Sequence, residues 1–434
     1  MSILNKFRQL NFSALVLASS IFLLFISFNC FASDIDPSMQ KYIEKFKNLE
    51  ITQKDGVKYF DNAKFWEKEG IYIVYLEGAP FEMGYQQGKL LKEYIRTNAK
   101  YSNTEIEKFG NPESTQKILK NIQKALPQEF IEEIKGIAAG SEVPYDDIFR
   151  HNFWSILSAL TKQYLCSNFA VFNEVTVDKR IIHFNTLDWT WVPSFSVLQI
   201  RRPSTGNGFV TASEAGSIHA AAFGLNEKGI SVGHTGNLYT AKEYYSDEGF
   251  GKFILLRKIL QYANTVNDVE KILNVDKVME PCIYLVVDGK TKEGKVFEVT
   301  SKGFKSRPPK NNFLGSTNHF TLWREQIGRR IDASEDRLRL MERFCKKNYG
   351  KIDLHKTITF LRDERIAKIY PEGGIVTLGM MLFTPENLNF WIAGSKEKNV
   401  PASWGPIVGF NLLKELGKGD RQLPDPATFP PRKE

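Results

Sequence analysis

Cysteine is scarce in this chain: 434 residues carry four, and Cys30 lies in an apolar leader-like start. The remaining three, Cys166, Cys282 and Cys345, are an odd set. A full disulfide framework is therefore excluded, and in an oxidising compartment at least one thiol stays unpaired. Cys282 opens one expected strand and Cys345 ends one expected helix, so either burial or a bridge suits them; Cys166 is the thiol left over. Histidine is also sparse, six in all, and no two have metal-ligand spacing, so no zinc site is expected. The net charge is +8, yet no basic stripe exists: single Lys and Arg residues alternate with Glu. That pattern describes a solvated surface and excludes a nucleic-acid footprint. Low-complexity tracts and solenoid-length repeats are absent.

Long apolar runs are missing except at the start, over residues 14–28. Lys6 and Arg8 precede that run, Cys30-Phe31-Ala32 offers small residues at cleavage positions, and polar Ser33-Asp34-Ile35-Asp36 follows. The run is short for a membrane span and lacks a basic stop. Residues 1–32 are expected to be a cleaved export signal, leaving a periplasmic or extracellular protein without a stable membrane span. An uncleaved anchor is the alternative reading of the same run.

The rest of the chain has a globular composition. A helix is expected over 39–46, then a polar connector to residue 70, then a strand over 71–76. Gly78-Ala79-Pro80 leads into a helix from Phe81, in which Gly84 and Gly88 share a face suited to close packing. Further helices are expected over 115–125, 128–139 and 145–160, with Pro127 and Pro144 at starts and Gly140 at a stop. At Cys166 the character changes. Short strands are expected over 195–202, 209–213, 218–224 and 230–235, separated by turn residues. Spacing so tight predicts antiparallel pairing. Helices over 253–263 and 266–273 follow, then a hairpin over 282–288 and 295–300. A capping-box-like Asp332-Ala333-Ser334-Glu335 opens a helix through Cys345, and late strands fall over 375–383 and 388–393. The sum is an α+β protein, sheets and helices in layers: a helical segment 33–165 packed on a core 166–420, with a Pro-rich tail 421–434.

Chemistry concentrates at residues 164–189. Tyr164 to Phe172 reads as a strand opening on a cysteine, and Arg180 to Trp189 as a return strand ending on an acid. A turn near Thr176 and Val177 puts Cys166 opposite Leu187, with Asp188 one step away. A turn on Asp178 and Lys179 puts Cys166 opposite Trp191 instead. No Cys–His peptidase signature surrounds Cys166, and His183 reads as a hydrogen-bonded core histidine.

Leu165-Cys166-Ser167, followed by Ile181-Ile182-His183-Phe184-Asn185-Thr186-Leu187-Asp188-Trp189, resembles the cysteine N-terminal-nucleophile (Ntn) hydrolases. The nearest branch is the isopenicillin N acyltransferase (acyl-coenzyme A:aminopenicillanate acyltransferase) family, with choloylglycine hydrolase and acid ceramidase more distant. Stretches around Gly78–Gly88, Glu133–Gly140, Gly224–Ile230, Thr317-Asn318-His319-Phe320 and Ser334–Arg337 fall in family order, so the resemblance covers roughly residues 70 to 400. It implies a four-layer αββα fold, no cofactor, and self-cleavage between Leu165 and Cys166. The fragments would stay associated, and the freed α-amine, with an ordinary pKa of about 7.7–8.0, would act as base. By the same resemblance Asp188 would orient that amine, Asn318 would stabilise an oxyanion, Arg337 would act electrostatically, and Asn237 is a further oxyanion candidate. Where relatives carry Arg-Asn before the acid, this chain has Asn185-Thr186, so a cation is missing and Asn185 can offer only a hydrogen bond. The implied substrate is an N-acyl compound: an acylated amine or amino acid, a β-lactam side chain or a short peptide. The acyl group passes to water or to an acceptor amine. Two other readings stay open at this point: a secreted Cys–His thiol hydrolase without self-cleavage, and a catalytically silent binding protein of the same fold.

Overall fold

Two acid–glycine pairs shape the start of the fold. Asp55 and Gly56, then Glu69 and Gly70, all have positive φ, the backbone geometry of two-residue hairpin turns. They join β1 (Thr52–Lys54) to β2 (Val57–Phe60), and β3 (Ala63–Lys68) to β4 (Ile71–Gly78). The expected polar connector before residue 70 is thus corrected to three strands. They escape the sequence pattern because they are short and lie at a sheet edge; β1 is exposed along its whole length.

The computed structural model describes residues 37–109, 111–158, 165–190, 196–237, 240–323, 332–370, 374–419, 423–424 and 426–432. The expected export signal, the end of the expected 145–160 helix, the Trp191 register and part of the 421–434 tail lie outside them. Helix α1 (Pro37–Phe46) belongs to an N-terminal unit ending at Glu50, and Ile51–Glu434 form a second unit.

Within the second unit, helices α2 (Pro80–Leu90), α3 (Lys92–Phe109), α4 (Pro112–Ala125), α5 (Gln128–Ser141) and α6 (Tyr145–Ser158) precede the central hairpin. That hairpin is β5 (Leu165–Val171) and β6 (Ile182–Thr190). Next come β7 (Ser196–Pro203), β8 (Phe209–Glu214), β9 (Phe223–Asn226) and β10 (Ile230–Gly236), then α7 (Lys252–Tyr262) and α8 (Val266–Val275). Strands β11 (Cys282–Asp288), β12 (Glu293–Thr300), β13 (Gly303–Arg307) and β14 (Phe313–Ser316) lead to α9 (Asp332–Lys347) and α10 (Leu354–Leu361). The chain closes with β15 (Ile369–Tyr370), β16 (Ile375–Thr384), β17 (Asn389–Gly394), β18 (Ile407–Asn411), α11 (Leu412–Glu415) and β19 (Thr428–Phe429).

These strands form an eleven-stranded sheet, β1-β2-β3-β4-β7-β8-β9-β10-β11-β12-β13, and an eight-stranded sheet, β14-β5-β6-β16-β17-β18-β19 with β15 on β16. Pairing is antiparallel as expected, except that β4 runs parallel to β7, a pairing that the helices between them make possible. The expected strand over 218–224 shifts to β9. Its first amides bond elsewhere, Ile218 N–H to Asn152 Oδ1 at 2.8 Å and Ala220 N–H to the Phe253 carbonyl.

Alternation of side chains sets four layers. On the outer face of the larger sheet, Val232, Tyr284, Val286 and Phe297 pack against Leu255, Ile259 and Leu260 of α7 and Val269 of α8. Between the sheets, Ile200, Val210 and Leu225 meet Met381, Phe383, Phe390 and Phe410. Beneath the smaller sheet, Phe169, Phe184, Met380 and Leu382 rest on Met341 of α9 and Ile358 of α10. The order helix, sheet, sheet, helix is the αββα arrangement that the resemblance implies. Cys282 and Cys345 are buried and unbridged.

Helices α2 and α5 touch backbone to backbone. A Cβ on Gly84 would run into the Glu133 carbonyl, one on Gly136 into the Phe81 carbonyl, and one on Gly140 into the Tyr85 carbonyl. Gly84→Ala or Gly140→Ala is expected to force the helices apart and cost about 1–3 kcal/mol. Urea unfolding of each variant checks this; an unchanged midpoint would contradict the close contact.

Candidate active site

Hairpin register decides what surrounds the thiol. Cys166 pairs with Leu187 and Leu165 with Asp188, the first of the two registers that the sequence allowed. Phe169, Val171 and Phe184 face the helices while Ala170 faces the other sheet. By the same alternation Cys166 and Leu187 point between the sheets, and Leu165 and Asp188 toward α9.

Strand β5 is buried along its full length, so each polar group at its start needs a partner. Asn318, just past β14, supplies the central one. Its Oδ1 accepts from the Cys166 backbone N–H at 2.7 Å and from Arg337 Nη2 at 2.8 Å, while its Nδ2 donates to the Gly236 carbonyl at 2.9 Å. Two donors on one atom and a carbonyl at the other fix the orientation of the carboxamide. Asn318 N–H in turn donates to Ser334 Oγ at 2.8 Å. That hydroxyl of the anticipated capping box therefore serves the site, and Asp332 is already inside α9.

Arg337 reaches from α9 with its side chain almost entirely buried. It donates to the Cys166 carbonyl, to Ser167 Oγ at 2.8 Å and to the Ala333 carbonyl at 3.2 Å, and lies 3.9 Å from the Asp188 carboxylate. Asp188 Oδ1 accepts from Thr377 Oγ1 at 2.6 Å, and the Thr377 hydroxyl accepts the Lys368 N–H at 2.9 Å. Thr377 stands at a β-bulge in β16, a device that re-aims a side chain locally.

Burial dominates the electrostatics. It pushes the Cys166 thiol up to about 11, reinforced by the Asp188 charge and opposed by Arg337 and by backbone hydrogen bonds at Gly236 and Asp188. It also pushes Asp188 up to about 6, against Arg337, Thr377 and Lys368.

Cys166, Asp188, Asn318 and Arg337 are thus brought together at the Leu165–Cys166 bond. Asn185 is buried two residues before Leu187, but its Nδ2 is taken by the His234 carbonyl at 3.0 Å. Asn237 is half-buried, one residue beyond β10 and Gly236. Sequence reasoning missed Thr377, Lys368 and Ser167. Thr377 is 189 residues from Asp188, and only the bulge brings it in.

Beyond Leu187 the sheets part around a cavity of about 600 Å³. Leu187, Trp189, Leu378 and Ile392 line the smaller sheet's side, Leu198, Ala212, Glu214 and Phe223 the larger sheet's. Residues before the Leu165–Cys166 bond also contribute, Ile71, Tyr72 and Trp154 among them.

An αββα sandwich with a cysteine at the buried start of a central strand is the architecture that the resemblance anticipated. Residues 179–393 match the family model Acyl-coenzyme A:6-aminopenicillanic acid acyl-transferase. An uncharacterized protein of Archaeoglobus fulgidus is 28% identical over 60% of this chain and 48% of its own length. Protein dcd1A of Dictyostelium discoideum is 24% identical over 48% of this chain and 54% of its own. The chain thus spans about half the length of the curated relatives it matches. Among solved structures, a mutant conjugated bile acid hydrolase from Clostridium perfringens is similar at TM-score 0.42 and 12% identity, over 59% of this chain and 96% of that one.

A raised carboxyl pKa has a stability signature. The folded state holds the Asp188 proton up to about pH 6, whereas an unfolded aspartate releases it near 3.9. Its contribution is fully present below about pH 4 and lost as pH rises through 6, in total about 3 kcal/mol. In an uncut Cys166→Ala background, adding Asp188→Asn should make stability less pH-dependent over this window. Urea unfolding from pH 4 to 7 measures the difference; parallel curves would mean that Asp188 titrates as an ordinary aspartate.

Proposed function

We propose that this is an exported, self-processing cysteine Ntn enzyme that hydrolyses or transfers the acyl group of linear N-acyl amides. The observation that carries the reading is the set of contacts on the residue to be freed. Asn318 holds the Cys166 N–H, Arg337 holds the Cys166 carbonyl, and the Asp188 carboxylate lies across the strand from Leu165.

In the uncut chain the Cys166 sulfur attacks the Leu165 carbonyl carbon. The Leu165–Cys166 C–N bond breaks, the nitrogen takes up the thiol proton and becomes an α-amine, and Leu165 is left as a thioester. Water hydrolyses that thioester, releasing the Leu165 carboxylate and the thiol. In turnover the α-amine accepts the thiol proton while the sulfur attacks the substrate carbonyl. The leaving amine takes that proton, and the acyl-thioester passes to water or to an acceptor amine.

Asp188 suits the role of holding the ammonium formed at Cys166, because a cation beside a buried carboxylate lowers its pKa and stabilises the ionised pair. Asn318 differs from a plain oxyanion donor. Its Nδ2 is engaged by Gly236, so its first task is to position the nitrogen through Oδ1. The cavity beside Leu187 suits the acyl group.

The two fragments are expected to remain together. β4 pairs with β7 across the cut, Glu133 of α5 ion-pairs with Arg201 and Arg257, and both fragments line the cavity. Breaking such a buried ion cluster by removing one partner costs roughly 3–5 kcal/mol. Export rests on the expected signal over residues 1–32. The Cys–His alternative gains nothing from the geometry. His183 bonds Ser231 and Asn168, His319 bonds Thr317 and Ser334, and His151 bonds Ser102 and Ser217.

Purified active protein is expected to give two polypeptides by mass spectrometry, the second beginning at Cys166, co-eluting as one species in native chromatography. Cys166→Ala should stay a single chain, and Arg337→Ala should slow processing at least tenfold. An active single chain in the native protein would sink the reading.

A further inference from the structure

One carboxylate on the cavity wall, Glu214, has no cation beside it among the described residues, unlike Glu133, Glu280 and Asp276. Glu133 answers to Arg201 and Arg257, Glu280 to Lys252 at 2.9 Å, and Asp276 to Lys258 at 2.5 Å. Glu214 ends β8 on the face shared with Val210 and Ala212, which points it between the sheets and into the cavity. Its side-chain partner is the Ser213 hydroxyl at 3.3 Å, with its own backbone N–H beside it. Among the described residues no cation lies within ion-pair distance; Lys396, also on the cavity wall, is exposed and pairs with no carboxylate there. Burial accordingly raises the carboxyl above its ordinary pKa.

A half-buried carboxylate without a cation either takes up a proton or is completed by a cation from elsewhere. The walls around it are aromatic: Tyr72, Trp154, Trp189, Phe223 and Phe253 all line the cavity. Glu67, the other carboxylate on the wall, accepts the Gly70 N–H at 2.7 Å. Aromatic faces together with a carboxylate are the chemistry that recognises ammonium and quaternary ammonium groups.

We infer that the cavity receives the part of an N-acyl substrate that carries a positive charge, an ammonium or quaternary ammonium group, with Glu214 as its counter-ion. This names the substrate class of the proposed amidase and rests on that reading for its chemistry, but the binding site stands independently of turnover.

Calorimetry on the uncut Cys166→Ala protein tests the site without catalysis, using hexyltrimethylammonium, hexanol and hexanoate as cationic, neutral and anionic probes. The cation should bind at least tenfold more tightly than either of the others. Glu214→Gln should shrink that ratio toward one, and Glu214→Lys should reverse it in favour of hexanoate. Equal affinities, or a preference that survives Glu214→Gln, would overturn the inference. Processed wild-type protein is then given matched amides, 6-aminohexanoyl against heptanoyl p-nitroanilide. A second pair, N-hexanoyl-2-aminoethyltrimethylammonium against N-hexanoyl-3,3-dimethylbutylamine, puts the charge on the leaving amine. A tenfold kcat/KM preference for the charged member of one pair places the cation on the acyl or the amine side. Cation binding without turnover of any amide would leave Glu214 its role and remove the amidase reading. Turnover of neutral members with no preference would do the reverse.

Discussion

A single oxygen, Asn318 Oδ1, is where the site is tied together. It accepts the backbone N–H of the residue whose nitrogen is to be released and one arm of a buried guanidinium. Arg337 has five N–H donors in a rigid plane, and burying them demands acceptors. It finds the Cys166 carbonyl, Ser167 Oγ, Ala333 carbonyl and Asn318 Oδ1, with the Asp188 carboxylate within ionic reach. Helix α9 is therefore docked against the first residues of β5 by charge as well as by its apolar stripe. Removing any one member would leave a buried polar group unsatisfied, at roughly 1–3 kcal/mol or more when charged. The peptide around Cys166 is rigidly defined before any chemistry occurs.

The same logic explains the part played by residues before Cys166. Strand β4 extends the larger sheet, α2 and α5 touch through glycines, and Glu133 brings its charge to Arg201 and Arg257. None of these contacts is peripheral to the sandwich. A chain cut between Leu165 and Cys166 would still be one hydrophobic core and one cavity wall, built from both sides of the cut.

Much of this was legible in sequence, for identifiable reasons. Long buried strands such as Cys282–Asp288 and Ile375–Thr384 advertise themselves as apolar runs, and the helices as 3.6-residue patterns with Pro or Gly at their ends. The Cys166–Asp188 hairpin was visible because both strands lie close in the chain, although its register waited for the fold. The small strands Thr52–Lys54 and Val57–Phe60 were hidden because an exposed edge carries little hydrophobic alternation. Thr377 was hidden for a different reason. A threonine in an apolar strand reads as β-propensity, and nothing local announces that a bulge turns its hydroxyl onto Asp188. The parallel β4–β7 pair was likewise invisible, being a contact between elements more than a hundred residues apart.

The acidity of the thiol links the uncut chain to the proposed mature one. Burial holds Cys166 up at about 11, and the cation that eases it is Arg337. Asn185, where the resemblance implied an arginine, is a neutral group already bonded to the His234 carbonyl. Such a thiol is almost wholly protonated at neutral pH, so a bare thiolate is not what this site stores. Cutting the Leu165–Cys166 bond would change that balance. The amide nitrogen becomes an amine that can carry charge on the same residue as the sulfur, and Asp188, itself held up at about 6, gains a cation to face. The ammonium form of that amine would lower both the thiol and the carboxyl pKa, which burial holds up. On this reading the strain of burying a carboxylate and a thiol together in the precursor is relieved by the nitrogen that self-cleavage releases.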